Sequence, residues 1–283
     1  MTVPGRIKRA GDLGWRLGRI LALGLFVSWA LGPLAWQGIT SIKSEQELVR
    51  LPPLLPETPT ATHYRTVTAR SGLGREILNS IIVATSATVS AIAVAALCAF
   101  ALARLPIAGK TTILSLLLGI SMFPPVAVIS PLYLLVRWLG LRDTLAALIL
   151  THTAYALPLA IWVLTVFFRQ IPVELYWAAR VDGCRPWRAL WSVLIPPARP
   201  GLAAAALLAF IFSWNEFMFA LTLTATDRSR TAPVAIALFP SLHEVPWGDM
   251  AAATLVVTAP VIALALAFQR HLLAGLTAGS IKG

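Results

Sequence analysis

The sequence predicts an all-α membrane protein with about six transmembrane helices and with both termini in the cytoplasm. Three observations support this fold class. The 283 residues are 58% hydrophobic and only 12% charged, with a mean hydropathy of +0.77. Several long stretches carry no formal charge, and the basic residues concentrate in alternate connecting segments. Because a soluble globular domain carries roughly 25% charged residues, this chain has more apolar surface than one soluble core can bury.

The predicted spans are uncharged stretches that are long enough to cross a bilayer. An apolar helix needs about 20 residues to cross the hydrocarbon core. Five stretches meet this requirement, at 20–42, 77–103, 111–136, 144–168 and 250–269. A sixth, at 201–223, meets it except for Glu216. Prolines lie within the spans, and we expect the bundle to tolerate them because neighbouring helices satisfy the freed carbonyls: Pro124, Pro125, Pro158 and Pro260.

The orientation follows from the distribution of charge. With the N-terminus inside, the inner segments hold 14 basic residues against three acidic ones, and the outer segments hold nine basic and eight acidic residues. Basic residues concentrate in cytoplasmic loops, so the net charge of +11 needs no nucleic acid as a partner. The chain is predicted to consist of a cytoplasmic N-terminal segment (1–19), a six-helix transmembrane domain (20–273) and a cytoplasmic tail (274–283). The transmembrane domain includes a long inner loop at 169–199.

The first part of the inner loop at 169–199 is patterned as a helix and a turn. Pro172 fits the first turn of a helix, where its missing N–H has no partner to lose. We expect a short amphipathic helix at 173–181. Asp182 and Gly183 then form the turn that stops it.

The second part of the loop, 186–194, is predicted to be another helical piece that Pro196 and Pro197 end. It carries Trp187 and Trp191 one turn apart. Trp and Arg are the side chains that most often anchor protein interfaces, so the loop suits a groove on a partner protein. An interfacial helix with its aromatic rings among the lipid headgroups explains the same pattern, and physical reasoning alone leaves both interpretations open.

The loop resembles a known family motif. The run AAxxDG is followed after nine residues by V-x-I-P, and the spacing resembles the EAA loop of bacterial ABC importer permeases throughout. The residues that carry the resemblance are Ala178, Ala179, Asp182, Gly183, Val193, Ile195 and Pro196.

In that family the loop forms a coupling helix that binds a cleft of the ATP-hydrolysing subunit. The glutamate of the family motif falls on Trp177, which the resemblance implies fills the cleft by apolar burial. Glu174, one turn earlier, either substitutes for the missing carboxylate or only caps the helix. The implied coupling residues are Glu174, Trp177, Ala178, Ala179, Asp182, Gly183, Trp187 and Pro196.

Glu216 is the only formal charge within a predicted span. A carboxylate at that depth costs several kcal/mol on most scales, and such groups are usually functional or paired. One interpretation is a polar patch on a substrate pathway, formed by Trp214, Asn215, Glu216 and Phe217. The other is a polar lock between helices with aromatic packing around it, and the sequence does not decide between them.

Further stretches resemble the carbohydrate-uptake branch of the same family, and most of all the MalG-type subunits of maltose and trehalose importers. They are Asn79-Ser80, Met122-Phe123-Pro124-Pro125, the segments 214–217 and 231–235, and the C-terminal 274–283. The resemblance implies a type I ABC importer permease fold in a bacterial cytoplasmic membrane and import of a sugar. Disaccharides such as trehalose or maltose are favoured, and other glycosides or glycerophosphodiesters stay open.

The resemblance also implies partners. An outer loop at about 225–248 is expected to contact an external sugar-binding protein or lipoprotein through Leu242, His243, Glu244 and Trp247. The tail at 274–283 extends toward the ATPase dimer, or it is an ordinary frayed terminus. One chain of this size supplies half of a pathway, so a second, similar permease subunit, forming a heterodimer, or a second copy of this chain is expected. Membrane lipid is expected to surround the complex.

The chain is not expected to be an enzyme. It contains no G-x-x-x-x-G-K-[ST] run, so ATP and Mg²⁺ are expected in the partner ATPase, which drives alternating access, and no cofactor or metal is expected here. A secondary transporter would need more ionisable groups within the spans. A membrane enzyme would need a polar cluster at one membrane face, whereas the four histidines fall at different depths and sides: His63, His152, His243 and His271.

Overall fold

The computed structural model describes residues 5–49, 54–69, 72–239 and 245–278. The regular secondary structure within those ranges is helical and includes no strand, as the sequence predicts. In chain order the helices are α1 (Gly5–Ser41), α2 (Glu45–Val49), α3 (Thr62–Ala69), α4 (Leu73–Arg104), α5 (Lys110–Ser121), α6 (Pro125–Trp138), α7 (Leu145–Gln170), α8 (Val173–Val181), α9 (Pro186–Ala189), a π-helical turn (Leu190–Leu194), α10 (Ile195–Asn215), α11 (Met218–Leu223), α12 (Ala232–Ala237) and α13 (Trp247–Ala278).

Five of the described helical segments are long and apolar enough to cross a membrane: Trp15–Ser41, Leu73–Arg104, Leu145–Gln170, Pro186–Asn215 and Trp247–Phe268. The bent pair α5 and α6 makes a sixth if it counts as one span. The expected set of about six apolar segments is therefore confirmed.

The third predicted span, 111–136, is not one continuous helix. Helix α5 ends at Ser121, α6 begins at Pro125, and the two axes differ by 88°. Pro124 has an extended backbone (φ −65°, ψ 127°), because the residue before a proline is pushed out of the α region. At Pro124 and Pro125 the span is therefore broken, whereas Pro158 lies within α7 and Pro260 within α13.

The predicted span at 201–223 is wrong at both ends. Pro196 and Pro197 do not end the preceding piece, because they lie in the first turn of α10, where a proline needs no N–H partner. In the π-helical turn before them, the N–H of Ile195 donates to the carbonyl of Leu190. This wider turn joins α9 to α10 as one continuous helical segment. At the other end the helix stops at Asn215.

By internal contacts the chain divides into two units, Met1–Ala69 with Pro240–Val256 and Arg70–Phe239 with Val257–Gly283. The second unit is built on α4, α7 and α10. Helix α4 buries an alanine at nearly every fourth position: Ala87, Ala91, Ala95 and Ala99. Small residues on one helix face let neighbouring backbones approach closely, and α10 does the same at Gly201, where an added Cβ would overlap the ring of Phe167.

The first unit contains α1, α2, α3 and the N-terminal turns of α13. The apolar window of α1 has none of its residues buried within this chain, whereas His63 and Lys43 are buried. Helix α13 extends to Ala278, so it includes the first five residues of the predicted tail, and 279–283 lie outside the described residues.

Candidate coupling surface and a polar cluster within the span

Helix α8 spans Val173–Val181, as the loop pattern predicts. It ends in a Schellman turn: Cys184 N–H donates to the carbonyl of Ala179 (2.9 Å) and Gly183 N–H donates to that of Arg180 (3.2 Å). Gly183 has φ +81°, a left-handed conformation that side chains other than glycine adopt at an energetic cost. The turn therefore fixes the direction in which the chain leaves α8.

One face of α8 packs into the core of the second unit. The ring of Tyr176 is buried and lies edge-on to Phe100 of α4, with centroids 5.9 Å apart. Ala179, one of the predicted coupling residues, is buried beside it, so its contact is with its own chain. The same cluster contains Phe168 of α7 and Leu190 of the π-helical turn. Helix α8 is thus fixed to three other elements of the bundle.

The opposite face of α8 is uncovered. Trp177 is 56% exposed, and Ala178, Val181 and Asp182 are exposed beside it. We call these four residues, with Glu174, the α8 surface. An exposed tryptophan and valine on a helix that is otherwise anchored in the core form a small apolar patch suited to a protein groove.

A second exposed tryptophan pair lies on the following segment. Trp187 is 59% exposed and Trp191 is 51% exposed, and their rings meet edge to face at 5.7 Å. Both belong to the continuous apolar segment Pro186–Asn215. Pro196 is also exposed in this segment. The structure therefore places Trp187 and Pro196 on the start of a spanning helix, separate from the α8 surface.

Glu174 lies in the first turn of α8 and makes no hydrogen bond that caps it. It interacts electrostatically with Arg104 at the end of α4. Arg104 in turn donates through Nη2 to the carbonyls of Phe168 (2.6 Å) and Ile171 (2.5 Å). This guanidinium joins the end of α4 to the junction of α7 and α8.

Glu216 caps helix α11 at the break in the predicted span 201–223. Its Oε1 accepts from the N–H of Phe219 (2.9 Å), and its Oε2 accepts from that of Ala220 (3.0 Å), so it satisfies the first turn of α11. Nε2 of His152, on α7, lies 3.3 Å from Oε2. Nδ1 of the same ring lies 2.7 Å from Oγ of Ser213. Nε2 has no hydrogen-bond partner among the described residues, so Ser213 is the hydrogen-bond partner of the ring and Glu216 is a close polar neighbour.

Sequence reasoning did not predict the contact of His152 with Glu216. His152 is fully buried and joins a carboxylate that lies 64 positions away in the sequence. The only sequence signal was a histidine in an otherwise apolar stretch. Because the ring is closed to solvent, the cluster is suited to holding two helices together.

The other predicted pathway residues separate into buried and exposed ones. Trp214 is 3% exposed and stacks on Phe210, with centroids 5.7 Å apart, so its ring is not available to a sugar in this conformation. Asn215 is exposed, and its Nδ2 donates to the carbonyl of Ile211 in its own helix (2.8 Å). Phe217 is partly exposed. Asn215 and Phe217 are therefore the pathway candidates that present a surface.

A mostly apolar cavity of about 400 Å³ lies beside the bend between α5 and α6. The hydroxyl of Tyr155, on α7, donates to the carbonyl of Phe123 at the bend (2.7 Å). The proline-induced break frees carbonyls there, and Tyr155 satisfies one of them. Sequence reasoning missed this residue. The cavity is lined by Leu116, Gly119, Ile120, Phe123, Val128 and Tyr155.

The motif segments Asn79-Ser80 and 231–235 meet in the structure. Nδ2 of Asn79 donates to the carbonyls of Asp227, Arg228 and Arg230, and the N–H of Ala232 donates to Oγ of Ser80 (2.9 Å). The start of α4 thus holds the loop that follows α11.

Asp143, in the turn before α7, holds the same loop from the other side. It accepts from the N–H groups of Ala225 (2.8 Å) and Thr226 (3.0 Å) and from the hydroxyl of Ser229. Partial burial by itself would raise the pKa of Asp143, but these hydrogen bonds outweigh it and hold the pKa below its usual range. The carboxylate therefore remains charged, and this contact remains intact, well into the acid range.

Of the four predicted binding-protein contacts, Leu242, His243 and Glu244 lie outside the described residues. Trp247 begins α13 and is 61% exposed. Among the residues whose side chains are described, no group of three His, Cys, Asp or Glu could hold a metal ion.

Residues 91–277 match the family described as binding-protein-dependent transport system inner membrane component. A trehalose transport system permease protein (SugB) of Mycobacterium tuberculosis is 43% identical, over 92% of this chain and 95% of that protein. A trehalose/maltose transport system permease protein (MalG) of Thermococcus litoralis is 37% identical, over 89% and 92%. A sulfoquinovosyl glycerol transport system permease protein (SmoH) of Agrobacterium fabrum is also 37% identical, over 94% and 93%.

The fold is also similar to that of a solved structure. A chain of a bacterial ABC transporter involved in the import of the acidic polysaccharide alginate superposes with a TM-score of 0.78, over 96% of this chain and all of that one, at 22% identity. At this identity the match supports the fold alone.

Proposed function

The chain belongs to the family of binding-protein-dependent transport system inner membrane components, as a permease subunit of a carbohydrate ABC importer, and from this premise we propose that it moves a disaccharide such as trehalose or maltose into the cytoplasm by alternating access. It is a multi-pass protein of the cytoplasmic membrane. It has no nucleotide site of its own, because in this family a partner subunit hydrolyses ATP.

The observation that carries the proposed mechanism is the attachment of α8 to the bundle. Tyr176 and Ala179 bury one face of α8 against α4 and the π-helical turn, and Arg104 ties α4 to the α7–α8 junction. A partner that moves the α8 surface therefore moves the ends of three spanning helices with it. We assign this surface to the ATPase dimer, which holds ATP and Mg²⁺, and closure of that dimer biases the bundle between two states.

The proposed second permease subunit would cover apolar surface that this chain leaves open. The apolar window of α1 has no buried residue, and Met122 and Phe123 at the α5–α6 bend are exposed. Lipid can cover the surface of an apolar helix as well as protein can. A pathway for a polar substrate, however, must be enclosed by protein on all sides. A second, related subunit supplies the missing wall, and an external sugar-binding protein or lipoprotein delivers substrate on the side of Trp247.

We propose that Glu216 is structural and that Asn215 and Phe217 face the pathway. Both carboxylate oxygens of Glu216 already accept backbone N–H groups, which leaves little capacity for a sugar hydroxyl. Asn215 offers an exposed amide oxygen, and Phe217 offers part of an aromatic face. Sugar sites commonly combine such polar and aromatic groups within a largely preformed pocket.

The disaccharide is favoured because two of the relatives named above carry trehalose in their names. The relative named for sulfoquinovosyl glycerol has the same identity to this chain, 37%, as the relative named for trehalose and maltose. The experiment therefore compares three sugars. The complete transporter is reconstituted in liposomes, and uptake of labelled trehalose, maltose and a glycerol-linked sugar is measured with the cognate binding protein. ATP-dependent uptake of trehalose or maltose in preference to the third sugar is expected. Preferred uptake of the glycerol-linked sugar would overturn the substrate assignment and leave the family assignment intact.

A further inference from the structure

A buried histidine in the first unit joins two segments that are far apart in the sequence. His63 lies near the start of α3 and is 3% exposed. Its Nδ1 lies 2.7 Å from Oδ1 of Asp249, in the first turn of α13. Its Nε2 lies 2.9 Å from the carbonyl oxygen of Lys43, in the turn after α1. The ring therefore bridges the end of the first span and the beginning of the last.

The two partners determine the protonation of the ring. A backbone carbonyl oxygen can only accept a hydrogen bond, and an ionised carboxylate can only accept one. Neutral imidazole carries a single N–H, so it would leave one ring nitrogen facing an acceptor without a proton between them. Both contacts are satisfied when His63 and Asp249 together hold one more proton, as an imidazolium beside a carboxylate.

The imidazole ring of His63 also fits closely against the backbone of α13. The neighbour Gly248 leaves the space that the ring occupies, because an added Cβ would overlap the imidazole. The titratable and charged groups that surround this joint are the Asp249 carboxylate in α13 and the Glu45 carboxylate in α2, which lies on the wall of the same cavity of about 450 Å³. The ammonium of Lys43, in the turn after α1, lies 5.6 Å from the centre of the Trp36 ring.

We propose that His63, as an imidazolium, is a positioning residue that ties the first turn of α13 to the end of α1, and that loss of its proton releases this tie. Deprotonation removes one of the two donors, so the joint is intact at lower pH and weakens as the pH rises. Trp247, two residues before Asp249, then loses a fixed position. The part of this inference that concerns transport rests on the proposed function, since there Trp247 faces the binding protein and the external pH sets how well it is presented.

The first test does not depend on transport. Amide hydrogen exchange is measured on the purified transporter complex between about pH 6 and pH 9, the range in which histidines change charge, and is corrected for the intrinsic pH dependence of exchange. For the wild type we expect protection of segments 62–69 and 247–250 to fall at least threefold as the pH rises. His63→Gln keeps one donor and has no titration in this range, so its protection should be lower at low pH and flat across it.

Tyr64→Phe is the matched control. It removes the hydrogen bond between Tyr64 and Ser41 in the same unit (2.9 Å) without touching the histidine, so it should lower protection equally at every pH. A wild-type profile that is flat, or a His63→Gln profile that still falls with pH, overturns the proposal. If the exchange profile is as expected while uptake of every sugar is absent, the joint stands and the proposed function fails.

Discussion

Glu216 lies where α10 ends and α11 begins, and its carboxylate accepts two N–H groups while it faces His152. Glutamine offers one oxygen and no charge, so Glu216→Gln leaves at least one buried donor without its partner. We expect the free energy of unfolding of the complex to fall by about 1–3 kcal/mol, with less protein in the membrane and an almost unchanged KM for uptake in the protein that survives. Thermal unfolding and uptake kinetics measure the two effects separately.

The neighbouring Asn215 provides the control, because its side chain is exposed and bonds only within its own helix. Asn215→Ala should leave thermal unfolding unchanged and raise the KM. A Glu216→Gln protein of normal stability with a raised KM would mean that the carboxylate contacts substrate after all.

The sequence identified Glu216 but not its partners, for a physical reason. A single carboxylate in an apolar stretch is visible because of its desolvation cost. His152 and Ser213 are compatible with an apolar helix on their own, and their role depends on how α7 packs against α10. Tyr155 was missed for the same reason, since the carbonyl that it satisfies is freed only by the break at Pro124.

At the scale of elements, the turn after α8 gives a sharp prediction. Gly183 has a left-handed backbone, and an added Cβ meets no atom within 4 Å, so substitution there acts through the backbone alone. Gly183→Val should misdirect α9 relative to α8 and uncouple the complex, because a β-branched residue resists a positive φ. ATPase activity stimulated by loaded binding protein is the measurement, and at least a tenfold loss is expected.

Asparagine tolerates the left-handed region better than other side chains, so Gly183→Asn should retain most of the stimulation. If both variants behaved as the wild type does, the conformation of this turn would have no part in coupling.

Trp177 stands where the family motif has a glutamate, and it is the largest side chain of the α8 surface. We expect Trp177→Ala to reduce the amount of ATPase subunit that co-purifies with the complex at least threefold, since tryptophans often dominate the binding energy of an interface. Trp138→Ala is the control, because Trp138 is 81% exposed and lies on the predicted outer side. Equal retention in both variants would assign Trp177 to the lipid interface.

Gly201 tests the packing of α10 on α7. A methyl group there overlaps the ring of Phe167, whereas at Gly119 it meets nothing. Gly201→Ala should therefore destabilise the complex by about 1–3 kcal/mol through overpacking, and Gly119→Ala should not. Thermal unfolding of the two variants side by side decides this, and equal midpoints would show that Phe167 moves aside without penalty.

The element boundaries show what local patterns can predict. Helix α8 was predicted at its observed bounds because Pro172 and Gly183 mark its ends by local backbone chemistry. The two Pro-Pro pairs could not be distinguished in this way. At Pro124-Pro125 the chain bends by 88°, whereas Pro196-Pro197 opens a helix that continues from a π-helical turn. What differs is the packing around each pair, which the sequence does not display.

For the whole molecule, the proposed mechanism requires α8 to face the cytoplasm. Helix α7 has 26 residues, about 39 Å at 1.5 Å per residue. At its start the turn with Asp143 holds the loop after α11, and at its end Arg104 and α8 meet. The length of α7 thus predicts that these two clusters lie on opposite sides of a bilayer, and the excess of basic residues around α8 predicts that this end is the cytoplasmic one.

Cys184, in the turn between α8 and α9 and partly exposed, reports this orientation directly. In a Cys98→Ser background, with the chain expressed without its partners, a membrane-impermeant maleimide should label Cys184 in inside-out vesicles and not in right-side-out ones. A Thr226→Cys variant in a background without Cys98 and Cys184 should show the reverse pattern, because Thr226 lies in the loop held by Asp143. Labelling of Cys184 from the outside would place the α8 surface on the side of the membrane that a cytoplasmic ATPase cannot reach. That result would contradict the coupling proposal, whichever partner subunits are present.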